Sequence, residues 1–215
     1  MQTTSRLSVA AIVLILLGCD AADPTVTGGP LAMRRLTADQ YRNAIEDSFG
    51  NRVEVAGRFE PDTRREGLNA LGAALVAVTP SGFEQYEAMA RNIAAQVTSP
   101  ELRQQILPCQ PVSPTAADTV CTEQVVRKFG RTLLRRPLAD EDVRPRLEAA
   151  AQATAAQQDY YAGLQVALSS LLVAPEFLFR VEIAEAPAES GQANRLQLTD
   201  LSLASRLSYF LWNRG

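Results

Sequence analysis

Apolar residues along this chain recur mostly at helical spacing, and the polar residues between them mark where each helix starts and stops. Thr37-Ala38-Asp39-Gln40 is a capping box, with Leu36 and Tyr41 at the two positions of a hydrophobic staple. Tyr41, Ala44, Ile45, Ser48 and Phe49 then share one face, and Gly50 stops the helix. From Asn51 to Val78 the pattern is mixed. Val53 and Val55 alternate like a short strand, whereas Leu71, Leu75 and Val78 are spaced like a helix, which predicts a loop followed by a helix. Ser81-Gly82-Phe83-Glu84 predicts the next start, with Phe83, Tyr86, Ala90, Ile93 and Val97 inward. Ser99-Pro100 ends that helix and begins a short one.

The stretch from Cys109 to Cys121 has several prolines and little apolar content, and reads as a loop. Thr122 then precedes a helix with Val125, Val126, Phe129 and Leu133 inward, ended by Arg135-Arg136-Pro137-Leu138. Asp140-Glu141-Asp142 open another, three carboxylates that suit the positive end of the macrodipole better than a metal; Pro145 must lie in its first turn or kink it. Tyr161, Leu164, Leu168, Leu171 and Leu172 mark a further buried face, which Ala174-Pro175 breaks. Glu176 to Glu182 predicts a short helix with Phe177, Leu178 and Val181 apolar and Glu176 and Arg180 paired at i,i+4. Ile183 to Asn194 is linker-like, and Thr199 caps a last helix carrying Leu203, Leu207, Phe210, Leu211 and Trp212.

The prediction is therefore all-α: an irregular multi-helix bundle following a lipoprotein signal and a flexible tether. Abundant Ala and Leu agree with it. The expected organisation is a signal at 1–18, a tether at 19–33, helical modules at 34–98 and 99–182, a linker at 183–195, and the first helix of a further module at 196–215.

The N-terminus reads as an address. Arg6 precedes an apolar run from Leu7 to Leu17, followed at once by Gly18-Cys19. Such a helix is about 16 Å long, half of a bilayer core, and so fits an export signal rather than a permanent span. Leu16-Leu17-Gly18-Cys19 resembles the bacterial lipoprotein box, which makes Cys19 the expected lipidation site. The rival is an ordinary secretory signal with an incidental cysteine. Several acyl chains on one cysteine give stable attachment, at about 0.8 kcal/mol per buried CH₂. Asp20 is compatible with inner-membrane retention, but either membrane remains open.

Charge and composition narrow the chemistry. The 215 residues include no histidine, which removes His-based nucleophile systems, His-bound zinc and covalent haem of the C-x-x-C-H kind. No cofactor and no metal is expected, and no catalytic residue is assigned. The formal charge is −3 and Lys128 is the only lysine, with arginines scattered among carboxylates, an arrangement unsuited to nucleic acid. Outside the cytoplasm Cys109 and Cys121 should form a disulfide, worth about 3 kcal/mol; free thiols or a two-sulfur metal site are the rivals.

Four segments occur in an order that resembles one family. Arg35-Leu36-Thr37-x-x-x-Tyr41-x-x-x-Ile45 comes first, then Leu134-Arg135-Arg136-Pro137-Leu138-x-Asp140-Glu141 after Phe129. Leu172-x-Ala174-Pro175-Glu176-Phe177-Leu178-Phe179-Arg180-Val181-Glu182 and Leu203-Ala204-Ser205-Arg206-Leu207-Ser208-Tyr209-Phe210-Leu211-Trp212 follow. Together they resemble planctomycete-type secreted multi-domain proteins of unknown function, also found in myxobacteria. The resemblance implies paired cysteines ahead of Arg-Arg-Pro-Leu and, in many members, a c-type cytochrome domain. It also implies that the chain is a truncated member.

Arg135, Arg136, Glu176, Arg180, Glu182 and Arg206 are the polar residues embedded in these segments. Their arginine forks suit a carboxylate-bearing ligand or sugar acid; ion pairs and caps where helices meet are the plainer and favoured expectation. The leading functional expectation is a lipid-anchored envelope protein serving as an interaction module, with the membrane as partner through its anchor and an envelope protein such as a cytochrome as a second partner. An accessory of an electron-transfer or polysaccharide-processing system is the alternative, and a hydrolase working through Asp/Glu pairs comes third.

Overall fold

A computed structural model describes residues 33–62, 66, 77–185 and 196–215. Cys19, the signal, nearly all of the tether, and the expected helical positions Leu71 and Leu75 lie outside them. Eight helices and four two-residue strands make up the described secondary structure, and the all-α expectation holds. No helix among the described residues is long and apolar enough to cross a membrane.

Strand β1 (Arg34–Arg35) leads into α1 (Ala38–Phe49). The capping box forms as expected: the Gln40 amide donates to the Thr37 hydroxyl, and the Thr37 amide donates to the Gln40 side chain. Gly50, at φ 88°, returns its N–H to the Glu46 carbonyl. Tyr41, Ala44, Ile45 and Phe49 point inward. Residues 51–62 form no helix or strand, so Val53 and Val55 do not make the strand their alternation suggests. Val53 instead tucks into the core.

Helix α2 (Pro80–Val97) starts earlier than Ser81. Thr79 is its N-cap, accepting from the Gly82 amide at 3.0 Å, with Pro80 in the first helical position, where its missing N–H costs nothing. That phase leaves Phe83 46% exposed, contrary to expectation, while Tyr86, Met89, Ala90, Ile93, Ala94 and Val97 are buried. A single turn, α3 (Arg103–Ile106), follows.

Helix α4 (Thr119–Leu134) is capped by Asp118, not opened after Thr122. The Asp118 carboxylate accepts from the amides of Cys121 and Val112, bonds that hold its pKa below the usual value. Thr122 lies inside the first turn and donates its hydroxyl hydrogen bond to the Asp118 carbonyl. Val125, Val126, Phe129 and Leu133 are buried as expected. Helix α5 (Asp140–Gln157) contains Pro145 beyond its first turn without a break in the helix, and α6 (Tyr160–Leu172) follows after two residues.

Helix α6 is the centre of the body, packed by α2, α4 and α5. Leu164, Leu168, Leu171 and Leu172 are fully enclosed, each worth about 1.5–3 kcal/mol of apolar burial. Gly163 lets α5 approach closely: a Cβ there would collide with the Thr154 hydroxyl and the Ala150 carbonyl. Val126, Val143, Ala150 and Ala167 form a small satellite cluster beside the main core.

The expected helix at 176–182 is cut short. Helix α7 covers Pro175–Leu178, and β2 (Phe179–Arg180) then pairs antiparallel with β1, Arg34 opposite Arg180 and Arg35 opposite Phe179. Val181 is exposed, and the Glu176–Arg180 pair does not form. Arg136 lies 3.8 Å from Glu176, while Arg180 lies 3.9 Å from Glu182. The backbone bond of Leu36 to Leu178, at 2.8 Å, shows why pairing wins: an edge strand was waiting. Strand β3 (Ala184–Glu185) pairs with β4 (Gln197–Leu198), and α8 (Asp200–Trp212) closes the described chain under a Thr199 cap.

Candidate functional site

The strands β1 and β2, the C-terminal end of α4 and helix α8 meet at one arginine-rich junction. Arg135 is the pivot. It ends α4 in the left-handed conformation (φ 57°), which turns its side chain toward α7 and β2. Its guanidinium donates to the Phe179 carbonyl at 2.8 Å, to the Glu176 and Phe177 carbonyls, and to the Tyr209 hydroxyl at 3.3 Å. These carbonyls belong to the end of α7, so Arg135 acts as a C-terminal cap supplied from another element.

Arg136 faces the other way, forking onto both oxygens of Asp142 at 2.6 and 2.9 Å. Asp142 also accepts from the Ala139 amide at the start of α5. The Arg136 fork, with smaller help from that amide, brings the Asp142 carboxyl down to about 2. At the same helix start Asp140 pairs with Arg127 at 2.6 Å. Two of the three carboxylates in the first turn of α5, Asp140 and Asp142, are thus paired with arginines.

Alternation along residues 180–183 separates two surfaces. Val181 and Ile183 line a cavity of about 360 Å³ with Leu134, Pro137, Leu201 and Ser205. Arg180 and Glu182 belong to the other surface. There the Arg180 guanidinium lies 4.9 Å from the Tyr209 ring centre, and Arg34 stands across the strand pair. Burial first, and the neighbouring Arg34 charge second, push the Arg180 pKa down. Glu182 is buried with Arg206 Nε at 3.2 Å. Distance makes this an ion pair, but the angles make no hydrogen bond, and Glu182 Oε1 has no donor.

Arg35, the neighbour of Arg34, points into a different and complete network. It donates to Glu60 at 2.7 Å and to the Pro61 carbonyl at 2.9 Å, with Asp62 at 3.6 Å. Behind it Tyr41 is packed by Phe59, Tyr86 and Phe177, and burial raises its hydroxyl pKa.

Cys109 and Cys121 are joined in a disulfide, which ties the proline-rich loop to the first turn of α4. The six arginines and glutamates named from the sequence do gather where helices meet. Arg135, Arg136 and Glu176 enter caps and ion pairs, the plainer of the two expectations, whereas Arg180 and Arg206 share Glu182. Arg34 and Tyr209 are members of the junction that the sequence did not single out. Only the Arg34–Arg180 strand register could have revealed the first, and two-residue strands leave no readable period. Among the described residues, no group of three His, Cys, Asp or Glu side chains is placed to hold a metal ion.

Residues 34–99 match the family model PSD3, Protein of unknown function (DUF1587), and residues 121–182 match PSD5, Protein of unknown function (DUF1595). The chain thus carries two domains of planctomycete-type multi-domain families of unknown function. No curated protein and no solved structure matches it.

Proposed function

We propose that this chain is a lipid-anchored protein of the bacterial cell envelope, held through Cys19, whose helical body is an interaction module. The observation that carries the interaction reading is the packing of α8. This helix rests on the body by Ser202 and Tyr209, while Leu203, Leu207, Leu211, Phe210 (83% exposed) and Trp212 (68%) face outward. Soluble helices bury such a stripe, and an exposed one marks a contact surface. The Cys109–Cys121 bond supports the envelope location, because disulfides persist in oxidising compartments. The partner is another envelope protein, with a c-type cytochrome the first candidate by resemblance.

Photo-crosslinking in cells tests the reading, with a photoreactive phenylalanine at position 210 and, for comparison, at Val112 in the proline-rich loop, which is 96% exposed. A discrete protein adduct at 210 and none at 112 is expected. Equal, diffuse labelling at both positions rejects the module. The anchor is read separately: palmitate should label the wild type and not Cys19→Ser, and an unlabelled wild type rejects it.

A further inference from the structure

Buried charge at the junction does not balance. Arg34 and Arg180 face each other across the β1–β2 pair, where like charges oppose strand pairing. Arg206 adds a third guanidinium, and Glu182 is the single carboxylate within ion-pair distance of this trio among the described residues. It lies 3.2 Å from Arg206 and only 3.9 Å from Arg180. Arg135 contributes a further positive charge against the same Tyr209 ring, although its own donors are engaged by carbonyls.

The donors are as unbalanced as the charges. Neither Arg34 nor Arg180 gives a side-chain hydrogen bond to any described residue, and Arg34 Nε is buried with no partner. Burying a guanidinium without partners is costly, and native proteins keep such groups matched. Arg180 rests over the Tyr209 face, and apart from the 3.9 Å ion-pair approach of Glu182 its N–H edge meets no acceptor among the described residues. Its side chain is only 13% exposed, whereas Arg206 is nearly half exposed and stands toward solvent. The arrangement is a set of planar donors with one side, that of Arg206, open to solvent. Contrast Arg35 one residue away, whose donors are met by Glu60 and Pro61.

We propose that Arg34, Arg180 and Arg206 form a binding site for an oxyanion, a carboxylate or phosphate group of a ligand, with Glu182 as an internal competitor for the same guanidiniums. Guanidinium forks match the paired oxygens of both groups, which a point charge does not. The bound anion supplies the charge and the acceptors the junction lacks. Glu182 holds Arg206 and Arg180 in place when the site is empty and weakens the anion by repulsion.

The test is calorimetric titration of the full chain in non-ionic detergent at fixed ionic strength, with inorganic phosphate and with glucuronate as probes and chloride as the balancing salt. Saturable one-to-one binding of at least one probe is expected. Arg180→Gln and Arg34→Gln should each weaken it tenfold or more, Glu182→Gln should tighten it several-fold, and Arg91→Gln on the exposed face of α2 should leave it unchanged. Binding of phosphate alone or of glucuronate alone supports the site and identifies which group it takes. Absence of saturable binding by both probes overturns the proposal, as does binding undiminished by Arg34→Gln and Arg180→Gln. Should Arg180→Gln fail to fold, the opposite signs expected for Arg34→Gln and Glu182→Gln decide the matter.

Discussion

Helices α1 and α8 are built from nearly the same local instructions and end in opposite environments. Each opens on a threonine N-cap with an aspartate in the first turn, and each closes on a residue with positive φ, Gly50 in one and Asn213 in the other. They touch: Gln40 donates to the Asn213 side chain at 3.0 Å, Asn43 donates to the Asn213 carbonyl at 3.1 Å, and Arg214 reaches Glu46 at 2.9 Å. Yet α1 buries Tyr41, Ile45 and Phe49, while α8 buries Ser202 and Tyr209 and turns its leucines outward. Caps and breakers decide where a helix runs. Which face it buries is decided by the neighbours available, and α8 has a charged junction beneath it where α1 has an aromatic core.

The sharpest way to break this comparison is to truncate matched aliphatic residues. Ile45→Ala removes a fully enclosed side chain from α1 and should cost about 2–5 kcal/mol, because the cavity adds to the lost transfer energy. Urea denaturation followed by far-UV circular dichroism reads this directly as a shift in midpoint. A cost below about 1 kcal/mol would mean that the α1 face is not the core side of the protein.

Reduction of Cys109–Cys121 comes next, at about 3 kcal/mol for a loop of this length. The loss should appear in the thermal midpoint under reducing agent and be reproduced by Cys109→Ser. It lies on the α4 side, where Asp118 already caps the helix, so α4 should stay helical while the loop loosens. Faster hydrogen exchange confined to residues 107–118 is the expected pattern.

The Arg136–Asp142 fork at the start of α5 gives a smaller, pH-dependent effect. Arg136 lowers the Asp142 pKa from its ordinary 3.8 to about 2, so ionised Asp142 stabilises the fold above pH 3.8 and this support is lost as pH falls through about 2. The pair is partly solvated, which reduces the contribution to about 1–2 kcal/mol. Asp142→Asn should remove it at neutral pH and flatten the acid limb of the stability curve between pH 4 and 2. An unchanged acid limb would show that the fork onto Arg136 does not form in solution.

The same contrast explains what could be read from the sequence. Capping chemistry is local, so Thr37, Gly50, Thr199 and the stop at Arg135 were legible, and so were the inward face of α4 and the leucines of α6. At the start of α6, however, it is Tyr160 that is enclosed, and the expected Tyr161 is only half-buried. Starts were misplaced where two capping residues compete within a few positions, as Thr79 does with Ser81 and Asp118 with Thr122. The segment after Pro175 went wrong for a different reason. Its helical spacing is real, but pairing with Arg34–Arg35 satisfies backbone groups that only the folded chain brings together. The candidate site shares that origin. Six of its polar residues stand out within distinctive segments, whereas Arg34 joins them solely through strand register and Tyr209 through the seating of α8.

The finest distinction is made within the two caps and the exposed stripe. Thr37→Ala and Thr199→Ala each remove one acceptor from an N-terminal amide, at about 1 kcal/mol per helix. For α1 the loss should lower global stability, because its burial couples the cap to the core. For α8 it should surface as faster amide exchange within residues 200–212, with little change in midpoint, since few buried contacts tie that helix to the whole. Leu207→Ala should then shift stability by much less than Ile45→Ala, on the order of 0.5 kcal/mol, because Leu207 is half exposed and leaves no enclosed cavity. A loss comparable with that of Ile45→Ala would place Leu207 in a packed interior and would require α8 to rotate its leucines onto the body, abolishing both the outward stripe and the seating of Tyr209 against Arg180.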